Sequence, residues 1–127
     1  DSLFPLTAER LKQIENDELA HLDQFIYRFT KLQDSMARRL LPSLYNWLEN
    51  DPAPRPFLDM LNRLAQLGVV TNVEEWQRFR NLRNNLAHDY PESRDQTVAT
   101  LNELFDHWRE LEKLFVHARD FYRARAS

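Results

Sequence analysis

The sequence contains no cysteine and only one glycine, and both absences exclude classes of protein. Without cysteine there can be no disulfide, no thiolate zinc site and no cysteine nucleophile. With a single glycine, the chain lacks the residue that most tight β-turns require. Val and Ile together number seven, against twenty Leu. Because Leu keeps its rotamer freedom in a helix and β-branched residues lose theirs, the composition predicts an all-α protein.

Long apolar runs are also absent. No stretch approaches the ~20 residues that cross a bilayer, so we expect no membrane partner. The stretch DSLFPLTAER has neither a basic flank nor an apolar run, and we do not expect it to be a signal peptide. A chain without cysteine is typical of a reducing compartment, so we expect a cytoplasmic location. The net charge of −3 argues against a protein that coats nucleic acid along its whole surface.

The length and composition fit one folded unit. The chain has 127 residues, of which 43% are hydrophobic and 12% aromatic. This is enough apolar material for a core, and it excludes disorder over the whole length. We therefore predict a single domain over residues 1–127.

Apolar residues recur at steps of three and four along most of the chain, which is the helical period. One such stripe from Leu22 to Leu48 predicts a long helix. Pro42 lies inside this stripe and removes a backbone donor, so we expect a kink or break near Leu41. Before it, Asn16-Asp17 interrupts a shorter apolar rhythm and separates a short N-terminal helix.

The next helix lies between two clear end signals. The proline-rich segment 50–54 predicts a loop, and Pro56 is expected to be the first residue of the helix that follows. Gly68 is expected to stop that helix.

Capping residues predict where the last two helices begin. Asn72 with Glu75 is a cap for the third long helix, although Thr71 with Glu74 competes for the same role. This helix should end near His88, before Pro91. The pair formed by Ser93 and Gln96 predicts the start of the last helix.

These segments define four main helices and a short N-terminal one, joined by short loops. Short connections place successive helices antiparallel, so the predicted architecture is an up-and-down four-helix bundle. The aromatic stripe, which includes Trp47, Trp76 and Trp108, is expected to form core or interface.

The most informative stretch is RFRNLRNNLAHDY at residues 78–90. It carries three Arg, no acid before Asp89, and three Asn in a predicted helix, where Asn is a mediocre helix former. At about 100° per residue, Asn81, Asn84, Asn85 and His88 share one third of the circumference. The opposite face holds Phe79, Leu82 and Leu86, which are expected to face the core.

Arg83 and His88 lie roughly 140° apart on an ideal helix, so they do not meet automatically. They converge if the helix unwinds before Pro91, if the Arg side chain wraps around, or if a second subunit contributes. A histidine near neutral pH can serve as a general acid or base.

The string RNNLAHDY, with Arg83, His88 and Tyr90 in the spacing R-x4-H-x-Y, resembles the motif of HEPN-domain proteins. The likeness is to HepT-type toxins and to the small helical subunits of two-component nucleotidyltransferases. It implies a HEPN-like bundle and a toxin of a toxin–antitoxin pair. It also implies a metal-independent ribonuclease that uses no cofactor and works as a homodimer.

The resemblance assigns roles to individual residues. His88 would be the acid or base on the RNA 2′-hydroxyl or leaving oxygen, and Arg83 would hold the scissile phosphate. Asn84 would orient the site. Tyr90 would be the tyrosine to which a nucleotidyltransferase antitoxin adds AMP, blocking His88. Arg78 and Arg80 could extend a phosphate track along the same helix.

Other interpretations of the same residues remain open. His88 could cap the helix, and Arg83 could form a structural ion pair with Glu92 or Asp89. The remaining histidines show no metal-ligand spacing and are expected at the surface or an interface. The chain could also be a non-catalytic partner subunit of a small nucleotidyltransferase, or a plain dimeric helical scaffold.

Overall fold

The computed structural model describes residues 3–50, 53, 55–87 and 94–126. Over these ranges the protein is all-helical and contains no strand, which confirms the predicted class. The α-helices are α1 (Ala8–Lys12), α2 (Asn16–Ser35), α3 (Leu41–Glu49), α4 (Phe57–Gln66), α5 (Val73–Ala87) and α6 (Arg94–Ala126). A π-helical segment, Met36–Leu40, joins α2 to α3. No helix in the described ranges is long and apolar enough to span a bilayer.

The helix does not break near Leu41, where a kink or break was expected, but continues through this π-helical segment. The Leu41 N–H bonds to the Met36 carbonyl, five residues back, instead of four. Pro42 has no N–H for the carbonyl of Arg38, and its ring would clash with that carbonyl in a regular α-turn. Widening the turn before the proline accommodates the ring without ending the helix.

The N-terminal break lies slightly earlier than the sequence indicated. Asn16 is the first residue of α2 and not part of the interruption, which falls between Lys12 and Asn16. The Glu15 N–H donates to the Glu18 side chain at 3.4 Å, as in a capping box. Asp17 and Glu18 then lie in the first turn, where the helix dipole favours acidic side chains.

α4 begins one residue later than predicted, because Pro56 has extended backbone angles and is the N-cap of the helix. Its end is as predicted: the helix stops at Gln66 and Gly68 has a φ of 88°. That left-handed conformation carries little penalty only in glycine. α4 is tied to α3 by a hydrogen bond from Arg63 to Glu49, which together with the Glu49 charge raises the pKa of Arg63.

The competition for the start of α5 is resolved in favour of Asn72. Its side-chain oxygen accepts a hydrogen bond from the Glu75 N–H at 2.9 Å, and α5 begins at the next residue, Val73. The Thr71 alternative is therefore wrong. α6 is described from Arg94, and Ser93 of the other predicted cap lies outside the described residues.

The core is formed around α5. Trp76, Phe79 and Leu82 are at most 2% exposed, and α5 packs against α2, α4 and α6. A second apolar cluster lies beneath the N-terminal segment, and Phe25 and Leu86 contact both clusters. Of the other two tryptophans, Trp108 packs on the core, whereas Trp47 is 44% exposed and contacts the Tyr122 ring. The up-and-down order, the HEPN-like arrangement and the single domain stay predictions.

Candidate functional site

α5 carries most of the predicted site residues, and its buried stripe fixes the direction of each. Phe79 and Leu82 are buried and Leu86 packs against them, as the sequence predicted. At about 100° per residue, Arg83 lies at the edge of this stripe on the side of α2. Asn84 lies farther around the helix and is exposed.

Arg83 forms a two-point contact with Asp34 of α2. Its Nε donates to Oδ1 at 3.1 Å and its Nη2 donates to Oδ2 at 3.2 Å. The two side chains are only 24% and 32% exposed, so solvent screens the pair incompletely. Parallel hydrogen bonds of this kind fix the plane of a guanidinium as well as its position. The acids proposed from sequence as partners, Asp89 and Glu92, lie outside the described residues.

His88 and Tyr90 also lie outside the described residues, so the convergence of Arg83 with His88 stays a prediction. The last described residue of α5, Ala87, directly precedes His88 in the chain. Asn84, the polar residue after Arg83, makes no side-chain hydrogen bond within the described ranges and faces solvent.

Arg78, Arg80 and Arg83 do not form one track along α5. Arg78 places Nη1 at 2.9 Å from Nε2 of His107 on α6, and Arg80 lies 4.8 Å over the Phe57 ring of α4. With Arg83 on α2, the three guanidinium groups point to three different helices. A continuous phosphate track on one face would need them on the same side of α5.

The contact between Arg78 and His107 includes an acid. Glu75 lies 3.8 Å from Arg78 and 3.9 Å from Nδ1 of His107, and its buried Oε1 has no hydrogen-bond partner among the described residues. Nη1 of Arg78 also lies 3.3 Å from Nδ1 of His107, so both ring nitrogens are within its reach. Since a guanidinium only donates, His107 is the acceptor in this contact. The cluster links α5 to α6, and Arg78 is partly occupied by its contacts with His107 and Glu75.

A groove lined by both polar and apolar side chains lies beside this cluster. It has a volume of about 460 Å³ and is lined on α5 by Arg78, Asn81 and Asn85, and on α6 by Glu103. Asn81 and Asn85 are two of the three asparagines that this helix contains although asparagine is a mediocre helix former. Amide and guanidinium donors along one groove can hydrogen-bond phosphate oxygens or base edges.

His117 is exposed, and its Nε2 lies 2.7 Å from the Gly68 carbonyl, to which it donates. Within the described part of the chain, no group of three or more His, Cys, Asp or Glu side chains could hold a metal ion.

The sequence analysis did not identify one polar face of the long helix that α2, the π-helical segment and α3 form together. Exposed and half-exposed polar residues line a cleft of about 330 Å³ there: Tyr27, Thr30, Lys31, Asp34, Ser35, Arg38 and Arg39. All of them follow the helical steps of three and four, and that spacing was readable beside the apolar stripe.

Comparison with known proteins returns nothing for this chain: no family model, no curated protein and no solved structure matches it.

Proposed function

We propose that this protein is a HEPN-type toxin of a toxin–antitoxin pair, a metal-independent ribonuclease that uses Arg83 and His88. In this proposal it acts on RNA in the cytoplasm as a homodimer. A nucleotidyltransferase antitoxin silences it by adenylylating Tyr90.

The observation that carries the proposal is the junction between α5 and the string RNNLAHDY at residues 83–90. The described part of α5 ends at Ala87, so the string begins inside a packed helix and continues directly into His88. Its Arg83 is fixed in orientation by Asp34, and the residue after it, Asn84, is exposed. A guanidinium held this way is preorganised for a phosphate, which limits the entropy lost on binding.

The proposed chemistry follows from these groups. His88 accepts the proton of an RNA 2′-hydroxyl as the 2′-oxygen attacks the neighbouring phosphorus atom. The bond from phosphorus to the 5′-oxygen breaks, that oxygen takes a proton from water, and His88 returns its own proton to the solvent. Arg83 binds the non-bridging phosphate oxygens and offsets the charge that grows on them in the transition state. The products are a cyclic 2′,3′-phosphate and a free 5′-hydroxyl.

In this proposal a second copy of the chain brings together Arg83 and His88, which a single ideal helix would hold apart. Residues five apart on an ideal helix diverge by roughly 140°. In a two-fold dimer, the motif segments of both copies face each other, so Arg83 of one copy can approach His88 of the other. The proposed active site is then a shared groove.

The test is RNA cleavage by the purified protein in the presence of a chelator. We expect His88→Ala to abolish cleavage, and Arg83→Ala to lower kcat/KM by about 10²-fold to 10³-fold, the usual cost of a lost transition-state donor. Arg80→Ala is the matched control on the same helix, since Arg80 lies over Phe57. Equal cleavage by the wild type and the His88 variant would contradict the proposal.

One observation favours a second candidate, a non-catalytic partner subunit of a small nucleotidyltransferase. Asp34 already neutralises Arg83 through two hydrogen bonds, so less of its charge is available to a phosphate. This candidate predicts a stable complex with the nucleotidyltransferase and no cleavage of RNA by the wild type. Growth arrest on expression, lost in the His88 and Arg83 variants, would select the toxin instead.

A further inference from the structure

A basic cleft formed by α2 and the π-helical segment borders Arg83. Lys31, Arg38 and Arg39 line it, and Arg83 reaches its edge through Asp34. Three cations thus line the cleft, and a fourth, Arg83, pairs with its one acidic lining residue, Asp34, in a chain whose net charge is −3. Such a concentration of one sign draws anions to this face against the overall charge.

The cations of this cleft are available to a ligand. Arg38, Arg39 and Lys31 are exposed, and neither arginine has an ion-pair partner within the described ranges. Elsewhere in those ranges, arginines such as Arg10 and Arg63 pair with glutamates. Two unpaired guanidinium groups side by side are suited to successive phosphates, because each presents a planar fork of donors.

Arg38 and Arg39 extend this face into the π-helical segment. They lie four residues after Asp34 and Ser35, so all four line the same cleft. The π-turn, which contains more residues than an α-turn, therefore lies at one end of the cleft. Single π-turns inside α-helices are frequent at functional sites.

The far end of the cleft offers an aromatic surface. Tyr27 is 62% exposed, and Nζ of Lys31 lies 5.9 Å from the centre of its ring. Exposed aromatic rings beside cations are the elements with which proteins bind single-stranded nucleic acid without reading its sequence. The hydroxyl of Ser35, between Tyr27 and Arg39 along the cleft, adds a donor for a phosphate oxygen.

We infer that this cleft binds the backbone of single-stranded RNA and leads it to Arg83. The phosphates lie on Arg38 and Arg39, and one base stacks on Tyr27. The inference rests on the proposed function, since it assigns the path of the substrate beyond the scissile phosphate. It names a binding surface on α2, whereas the proposed chemistry is on α5 and the residues after it.

The test is binding of a short, fluorescently labelled, unstructured RNA with 2′-O-methyl riboses, which lacks the 2′-hydroxyl nucleophile and so cannot be cleaved. Anisotropy is measured with the full chain over a range of salt concentrations. We expect R38Q/R39Q to lower affinity about tenfold, and to reduce the slope of log K against log salt by about 1.4, or 0.7 per lost phosphate contact.

The matched control is R109Q/K113Q, which removes two cations from exposed positions on α6. It should bind as the wild type does. Tyr27→Ala should weaken binding without changing the salt slope, because stacking releases no counterions. Circular dichroism checks that each variant is folded, and glutamine has a helix propensity close to that of arginine.

Three outcomes would overturn the inference: no binding of RNA by the wild type, unchanged affinity in R38Q/R39Q, or an equal loss in R109Q/K113Q. Unchanged affinity in Tyr27→Ala would overturn the stacking role. Cleavage of unmodified RNA is scored separately. If the wild type cleaves RNA and R38Q/R39Q binds it as tightly as the wild type does, only the inference about the cleft is refuted. If R38Q/R39Q binds more weakly but the wild type does not cleave RNA, only the proposed ribonuclease activity is refuted.

Discussion

Arg83 of α5 and Asp34 of α2 are 49 positions apart in the chain, and the guanidinium and carboxylate meet through two hydrogen bonds. The pair joins the helix that carries the motif to the helix that carries the basic cleft. It therefore has two roles in the proposed function. It holds Arg83 in one orientation, and it limits how much of the Arg83 charge a phosphate can use.

The stability contributed by this pair can be measured with a double-mutant cycle. Because both side chains are about one quarter to one third exposed, we expect a coupling of about 1 kcal/mol between Arg83→Met and Asp34→Asn in urea unfolding. The coupling should fall as salt is added. Additive effects of the two substitutions would show that the pair contributes nothing.

The same substitution tests how Asp34 acts on cleavage. Asp34→Asn keeps the shape of the side chain and removes its charge, so Arg83 loses the partner that fixes its plane. If orientation dominates, kcat falls while KM changes little. A rise in kcat/KM would mean instead that Asp34 withholds Arg83 from the phosphate. Rates are measured on unmodified RNA with the wild type alongside.

The start of α5 depends on Asn72. Its side chain accepts the Glu75 N–H, so Asn72→Ala should lower the free energy of unfolding by about 1 kcal/mol. Thr71→Ala is the matched control, and its effect should be close to zero. Thermal or urea unfolding measures both, and equal losses would contradict the assignment of the cap.

Glycine is needed at position 68 because of the backbone angle there, and not because a larger side chain would lack room. A Cβ there would meet only the Phe121 ring, at 3.8 Å, whereas φ is 88°. We expect Gly68→Ala to destabilise the protein by about 1 kcal/mol, the cost of a left-handed conformation in an L-residue. Gly68→Asn should cost less, because asparagine tolerates that region. The reverse order in urea unfolding would point to a steric cause.

Adenylylation of Tyr90 is tested by mass. Incubation with the partner nucleotidyltransferase and ATP should add one or more AMP groups and release pyrophosphate. The modified protein should lose cleavage, because bulk and charge are added two residues from His88. Tyr90→Phe is the control, since it removes only the nucleophilic oxygen. An unmodified Tyr90 would contradict this mode of silencing. It would not bear on the proposed ribonuclease activity, which the cleavage assay tests.

Much of the local structure was predictable because it depends on neighbours in the chain. The Asn72 cap, the Gly68 stop and the disturbance before Pro42 each follow from backbone chemistry within a few residues. The buried face of α5, with Phe79 and Leu82, follows from the helical period.

The site was predictable only in part. The motif identifies Arg83, but no spacing in the sequence pairs it with Asp34, because the contact arises from packing of α5 on α2. The partners of Arg78 and Arg80, His107 and Phe57, likewise belong to other helices. A helical wheel shows the direction of a side chain without showing what it meets.

The amino-acid sequence by itself determined that this chain is helical and where most of its helices stop, since Leu-rich periodicity, caps, proline and glycine act over single turns. Tertiary structure decided which charges are paired and which stay free. It placed Asp34 against Arg83 and left Arg38 and Arg39 exposed in the cleft that borders this pair, because the energy of a contact depends on distance in space and not on separation along the chain.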